Sequence, residues 1–308
     1  MHIAVFTKNL TNPAYMAARL GADRAAARLG ARTTHHVPRI PDDVAQQTAL
    51  IDEVLGGPRP DAIVLSPVHS SAVGPAIRRI HAACIPIVSL ITPVQAVPVA
   101  SFVHSDDYAL ALGIARRLFE HLGGRGDVLV VSGHEDSYTS LERLRGFGDA
   151  AASYPGIVLR DTVAGDYIRD VASQRTRAWL AAHPSTRIDA CLVANDIMAV
   201  GVLEALRAAR RHAAVVGVNA IPEAIAAIQR GELLATADFN AMRMAHLAAE
   251  CAVRHLRGEA VPRHIELPVD IVDAHNCHLW DMPYAERTVW TLDEARAEIA
   301  RAGSGRME

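Results

Sequence analysis

The feature that most constrains this chain is an unbroken alternation of short apolar runs and helical segments. Ile3-Ala4-Val5-Phe6 has the length and composition of a buried strand, and from Tyr15 onward the apolar spacing turns helical. The same pair recurs. The strand Arg32 to Val37 precedes a helix from about Asp42 to Leu55, and Ala62 to Leu65 precedes a helix from Ala72 to Ala83. Strands Ile87 to Leu90 and Val99 to Val103 follow, and the series then restarts at Asp127. The second series has strands at Asp127–Val131, Ile157–Leu159, Ala190–Val193, Ala214–Val218 and Leu233–Ala237. Helices are expected between them at 138–153, 167–182, 197–210 and 222–229. Strands that read as continuous apolar runs, each followed by a helix, belong to parallel sheets covered on both faces. The expected fold class is therefore α/β, with two doubly wound parallel-sheet (Rossmann-like) lobes.

The helix expected at 240–257 and the strand expected at 265–272 come after the second series is complete, and they return most simply to the first sheet. That gives an N-terminal lobe of residues 1–104 plus 240–270. The C-terminal lobe is 105–239 plus 271–308, with an extended tail. Three crossings, near Ser105, Phe239 and Asp270, form a three-segment hinge, with a ligand cleft between the lobes.

Bulk properties narrow the function. A chain of 308 residues can hold two ordinary cores, and a net charge of −3 without a basic stretch argues against a nucleic-acid partner. No apolar run approaches the length of a membrane span. The chain opens directly on a strand, with no secretory signal in view. Cys84, Cys191, Cys251 and Cys277 show no paired spacing; Cys84 and Cys191 read as core residues. His275, Cys277 and His278 form a local metal-like cluster without a fourth ligand, so no metal is expected. No P-loop, Gly-x-Ser-x-Gly elbow or His-Glu-x-x-His helix occurs, which argues against an enzyme, and no cofactor is expected.

Binding chemistry concentrates in the loop Lys8-Asn9-Leu10-Thr11-Asn12-Pro13-Ala14-Tyr15. It lies at the carboxyl end of the first strand, where open α/β sheets bind ligands. Asn12 reads as an N-cap and Pro13 as a first-turn residue. The loop has amides, a hydroxyl, an ammonium and a ring, but lacks the glycines a pyrophosphate needs.

These residues resemble a known family. Thr11-Asn12-Pro13-Ala14-Tyr15 is similar to the first ligand loop of type I periplasmic sugar-binding proteins of the ribose-binding kind. Ser105-Asp106-Asp107 resembles the family's first hinge, and Arg143-Leu144-Arg145-Gly146-Phe147 its Arg-x-x-Gly-Phe helix. Asn195-Asp196-Ile197-Met198-Ala199-Val200-Gly201 resembles Asn-Asp-x-Met-Ala-x-Gly, the most specific of these matches. Val216-Gly217-Val218-Asn219 stands where the family has a Gly-Phe-Asp turn, and Leu234 to Phe239 resembles the second crossover. The resemblance spans residues 2 to 272. It implies a periplasmic, monomeric receptor that closes on a small polyhydroxylated ligand and delivers it to an ABC permease in the membrane. Carried over by position, the ligand residues are Asn12, Tyr15, Ser105, His134, Arg143, Tyr167, Asn195, Asn219 and Phe239.

Three departures matter. The family's Asp-Arg pair is replaced by Ile91-Thr92, and the turn Asp by Asn219. Lys8 stands at a position often held by a small polar residue. Loss of two acceptors beside Lys8, His134 and Arg143 favours a polyol, a furanose or a sugar acid over ribose, with Lys8 and Thr92 joining the site. The runner-up is the effector core of a lactose-repressor-type regulator, which needs a DNA-binding segment before residue 2. A sensor domain of a membrane kinase has only the fold in its favour. In the tail, Trp280 is a candidate ligand neighbour, Thr291 to Glu294 reads as a capping box, and residues from Gly303 onward are expected to fray.

Overall fold

The structure is a computed structural model that describes residues 1–303 and 305–308. It divides into two compact units, Met1–Asp106 with Asn240–Pro268 and Tyr284–Glu308, and Asp107–Phe239 with Val269–Pro283.

The first unit opens with β1 (His2–Phe6), α1 (Pro13–Arg28), β2 (Arg32–His36), α2 (Val44–Gly56) and β3 (Ala62–Leu65). It continues with α3 (Gly74–Ala82), β4 (Ile87–Leu90) and β5 (Ser101–Ser105). After the second unit it regains α9 (Ala241–Leu256), β11 (His264–Leu267), α10 (Leu292–Ala302) and β13 (Arg306–Met307). Its sheet runs β13-β11-β5-β4-β3-β1-β2, parallel except for the edge strand β13. Every residue of β3 and β4 is buried, as expected of strands covered on both faces. Helices α1 and α9 meet backbone to backbone at Gly21, where a Cβ would fall 2.1 Å from the Met242 carbonyl oxygen. Glu250 on α9, fully buried, accepts from Arg28 of α1 at 2.6 Å, from Arg254 at 2.8 Å and from the Leu292 N–H of α10 at 3.2 Å. One carboxylate thus joins three helices.

The second unit holds α4 (Asp107–His121), β6 (Arg125–Ser132), α5 (Tyr138–Ala152), β7 (Gly156–Ala164), α6 (Arg169–Ala182) and β8 (Ala190–Val193). Then come α7 (Asp196–Ala208), β9 (Ala214–Val218), α8 (Pro222–Gln229), β10 (Ala235–Asp238) and β12 (Asp270–Asp273). The sheet order is β12-β10-β9-β8-β6-β7, with only β12 antiparallel to its neighbour.

The expected strand from Ile265 to Val272 is two strands in two sheets. Pro268 has no N–H to donate, and at that point the chain changes units. The tail also differs from expectation. Residues 284–308 belong to the first unit, so the chain passes between units four times, after Asp106, Phe239, Pro268 and Pro283. The capping box forms as read, Thr291 accepting from the Glu294 N–H. Beyond it the chain is ordered by pairing, with Met307 opposite Ile265; Ser304, within the stretch expected to fray, lies outside the described residues. Cys84 is exposed rather than in the core, because it follows α3 in a left-handed conformation (φ 55°).

Candidate functional site

Of the residues singled out from sequence, Lys8, Asn12, Tyr15, Thr92 and Ser105 lie in the first unit. His134, Arg143, Tyr167, Asn195, Asn219 and Phe239 lie in the second.

In the first unit the loop after β1 is organised by Asn9. Its Oδ1 accepts from the Thr11 N–H at 2.7 Å, the Thr11 hydroxyl at 2.9 Å and the Asn12 N–H at 2.9 Å. That fixes Asn12 to cap α1, its Oδ1 accepting from the Ala14 N–H at 3.0 Å. Lys8 is 1% exposed, and Tyr15 is half-buried on the first turn of α1. After β4, Ile91 adopts φ 66°, a rare conformation for a β-branched residue, and Thr92 N–H turns back to the Leu90 carbonyl at 2.7 Å. The Ser89 hydroxyl donates to the Thr92 carbonyl and accepts from the Val94 N–H, which locks the turn. Ser105 ends β5, with its hydroxyl 4.0 Å from the Met244 sulfur.

Three strand ends of this unit carry a buried polar side-chain atom with no hydrogen-bond partner among the described residues. They are Asn9 Nδ2 after β1, Ser66 Oγ after β3 and Thr92 Oγ1 after β4. Asn9 and Ser66 were not singled out from sequence. Asn9 was legible as a turn former beside Thr11, but Ser66 leaves no local signal.

In the second unit Arg143 is 3% exposed on α5. Its Nε donates to Asp107 Oδ1 at 2.7 Å, its Nη2 approaches the same oxygen at 2.7 Å, and its Nη1 donates to the Ala194 carbonyl at 2.6 Å. The guanidinium sits over the Phe239 ring at 5.3 Å. The guanidinium carried over by position as a ligand residue is therefore engaged with Asp107, an acceptor that sequence reasoning assigned only to the hinge. Tyr167 precedes α6 rather than opening it, because Asp166 and Tyr167 both take left-handed conformations (φ 54° and 59°). Its hydroxyl pairs with Thr139 at 2.9 Å, and its ring covers Gly133, where a Cβ would fall 2.2 Å from Cζ. His134 Nδ1 accepts from the Asp136 N–H at 3.3 Å, holding the loop after β6. Asn195 caps α7, accepting from the Met198 N–H at 3.0 Å. Asn219 follows β9 at φ 123°, 8% exposed, and its Oδ1 has no partner among the described residues.

Beneath these residues lies Asp196, fully buried at the start of α7. Oδ1 accepts from the Thr236 hydroxyl at 2.7 Å and Oδ2 from the Ile221 N–H at 3.1 Å. Burial pushes its carboxyl up to about 7, with the Asp238 charge adding to the rise; the two hydrogen bonds and Arg143 oppose it. Asp196 pins the turn that carries Asn219, and Gly217 makes room for it, since a Cβ there would fall 2.2 Å from Oδ1.

The Trp280 indole donates to Asp238 Oδ2 at 2.7 Å, so the tail is anchored at the end of β10. Among the described residues His275, Cys277 and His278 do not converge as ligands. The cluster with metal-ligand geometry is His104, His264 and Glu266.

A family model described as a periplasmic binding protein domain matches residues 3–260. The chain is 26% identical over 196 residues to the xylitol-binding protein of Mycolicibacterium smegmatis, a match covering 63% of this chain and 56% of that protein. It is 25% identical over 269 residues to the ribose import binding protein of Bacillus subtilis, covering 87% of this chain and 86% of the relative. Among solved structures, the Caulobacter myo-inositol binding protein bound to myo-inositol matches with a TM-score of 0.84 at 25% identity. That match covers 90% of this chain and 95% of the other. With two mixed, mainly parallel α/β units and a match over most of its length, the chain belongs to the periplasmic binding protein family, in its type I, ribose-binding-like branch.

Proposed function

We propose that this protein is the solute receptor of an ABC importer, binding a small polyhydroxylated ligand and delivering it to a permease. Nothing is chemically transformed; hinge closure is the mechanism, and the periplasm is the compartment. The observation that carries the reading is the set of buried polar atoms at strand carboxyl ends without partners among the described residues, Asn9 Nδ2, Thr92 Oγ1 and Asn219 Oδ1. A buried polar atom costs about 1–3 kcal/mol when left unpaired, so such atoms in loops that carry the ligand motif are explained by a ligand that pairs them. Donor and acceptor both occur among them, which matches a hydroxyl that donates and accepts at once. Xylitol, ribose and myo-inositol, named for the relatives, are all of this chemical class.

The finer expectation is a polyol, furanose or sugar acid rather than ribose. Ile91-Thr92 and Asn219 remove the acidic partners of a pyranose clamp, while Lys8 is buried in the same unit as Thr92. The test is calorimetric titration with pentoses, hexoses, polyols and aldonic acids, on the parent chain and on Thr92→Val. The substitution keeps the shape and removes only the hydroxyl that lacks a partner among the described residues. Melting temperature should hold or rise, while affinity for the best ligand falls about tenfold, the equivalent of one hydrogen bond. A ligand that binds Thr92→Val as tightly as the parent removes Thr92 from the site. A panel in which no sugar or polyol binds refutes the proposal.

A further inference from the structure

Strands β5 and β11 are parallel neighbours whose register sets Glu266 opposite His104 and His264 opposite Phe102. Side chains alternate between the faces of a strand, so these four residues share one face of the first unit's sheet. There the Nε2 atoms of His104 and His264 meet directly, and Glu266 Oε2 lies 3.9 Å from His104 Nε2. All three ligand atoms fall within 4.8 Å of one another. The side chains of His104 and Glu266 are only 12% and 14% exposed. The Phe102 ring stacks against both imidazoles, with centroids 4.3 Å from His104 and 5.7 Å from His264.

The tautomer follows from a second contact. His104 Nδ1 lies 2.9 Å from the Ser105 carbonyl, which can only accept, so Nδ1 carries the proton and Nε2 points its lone pair at His264. A backbone carbonyl behind the far nitrogen is the outer contact by which metal-bound imidazoles are oriented. The nearby charges are Asp106 and Glu308, which favour a cation, and Arg306, opposite Glu266 on β13, which competes with it. Two imidazoles and one carboxylate suit zinc, cobalt or nickel and not calcium or magnesium, which prefer oxygen.

We propose that His104, His264 and Glu266 form a binding site for a divalent transition-metal ion of the zinc class. The site joins two strands that both lead out of the first unit. β5 ends one residue before the crossing after Asp106, and β11 ends one residue before the crossing after Pro268. An ion held there fastens the two strands to each other at the base of the hinge, a role independent of which sugar the protein binds.

The test uses the full chain stripped with chelator, titrated with Zn²⁺ by calorimetry and with Co²⁺ by visible absorption. One ion per chain is expected, with affinity lowered by about tenfold or more in both His264→Ala and Glu266→Gln, and unchanged in a control at the exposed His212. Circular dichroism of the metal-free variants reports folding; Glu266→Gln keeps the side-chain shape and carries the test if His264→Ala does not fold. Zinc that binds Glu266→Gln as tightly as the parent chain, or a parent chain that takes up no ion, overturns the proposal.

Discussion

Asp196→Asn offers the sharpest test of how the second unit is built. In the folded chain burial raises this carboxyl from 3.8 to about 7, so between those values the folded state holds a proton that the unfolded state has released. Stability rises with pH only where the unfolded state binds more protons. Here the sign is reversed: the Asp196 contribution is unfavourable above the unfolded value and grows until pH passes about 7. A shift of this size corresponds to on the order of 4 kcal/mol. The asparagine can accept from the Ile221 N–H and donate to Thr236 Oγ1, so any cost of rearranging those contacts is the same at every pH. The stability of Asp196→Asn relative to the parent should therefore climb by about 1.4 kcal/mol per pH unit between pH 4 and 7. Urea unfolding at half-unit pH steps measures it, and a ¹³C carboxyl titration of the parent reads the group directly. A stability difference that does not change with pH, or a carboxyl that titrates near 4, refutes the reasoning. The buried imidazole of His246 acts in the other direction. Burial lowers it to about 4, so the stability it contributes is complete above the usual histidine value and is lost as pH falls from 6.5 toward 4. Asp196 offsets part of that acid lability, and its removal should steepen the acid limb.

Three further substitutions probe the packing around the candidate site. Gly217→Ala drives a methyl against Asp196 Oδ1 and should cost about 2–4 kcal/mol in urea unfolding, through overpacking and strained hydrogen bonds; a neutral result would mean the turn after β9 is not held by Asp196. Asp107→Ala removes the carboxylate partner of the buried Arg143 guanidinium and should cost about 3–5 kcal/mol, with weaker sugar binding by calorimetry because Arg143 and Phe239 lose their fixed relation. Glu250→Ala removes the acceptor shared by Arg28, Arg254 and the Leu292 N–H. A similar loss is expected, with α10 becoming the first segment cut in limited proteolysis.

Much of the fold was legible because its signals are local. Apolar runs of four or five residues marked β1, β3, β4, β8 and β9, and the caps at Asn12, Asn195 and Thr291 act on N–H groups two or three residues away. What escaped was long-range. The run from Ile265 to Val272 is apolar enough to be one strand, and nothing in it says that β11 pairs with β5 while β12 pairs with β10. The last 25 residues, 284–308, join the first unit through Glu250 and through β13 pairing with β11, partners that lie tens of residues upstream. Conformation hid as well: Cys84 lies between Ala83 and Ile85 and Tyr167 opens an expected helix, yet left-handed backbone at 84 and at 166–167 sends one to the surface and keeps the other out of its helix.

The same division explains the candidate site. Residue types at strand ends could be read because loop chemistry follows strand position, but their roles depend on partners 36 and 51 residues away, as with Asp107 and Ala194 around Arg143. Backbone conformation supplies a further clue that sequence alone does not. Ile91, Tyr167 and Asn219, none of them glycine, hold positive φ at the ends of β4, β7 and β9. Each such residue costs on the order of 1–3 kcal/mol and persists only where its surroundings enforce it. At Ile91 the enforcing contacts are visible: the side chain is 1% exposed, and Ser89 ties the turn from both sides. At Asn219 they are the N–H donated to the Ala237 carbonyl at 2.8 Å and the Asp196–Ile221 bond just beyond it. The strain therefore sits where Thr92, Tyr167 and Asn219 are presented, and the buried bonds that hold it belong to residues that need never touch a ligand. A site built this way keeps its donors and acceptors aimed before anything binds, so less ordering remains to be done on binding. It also follows that exchanging Thr92 or Asn219 should change which sugar is bound, whereas exchanging Ser89 or Asp196 should weaken every ligand alike.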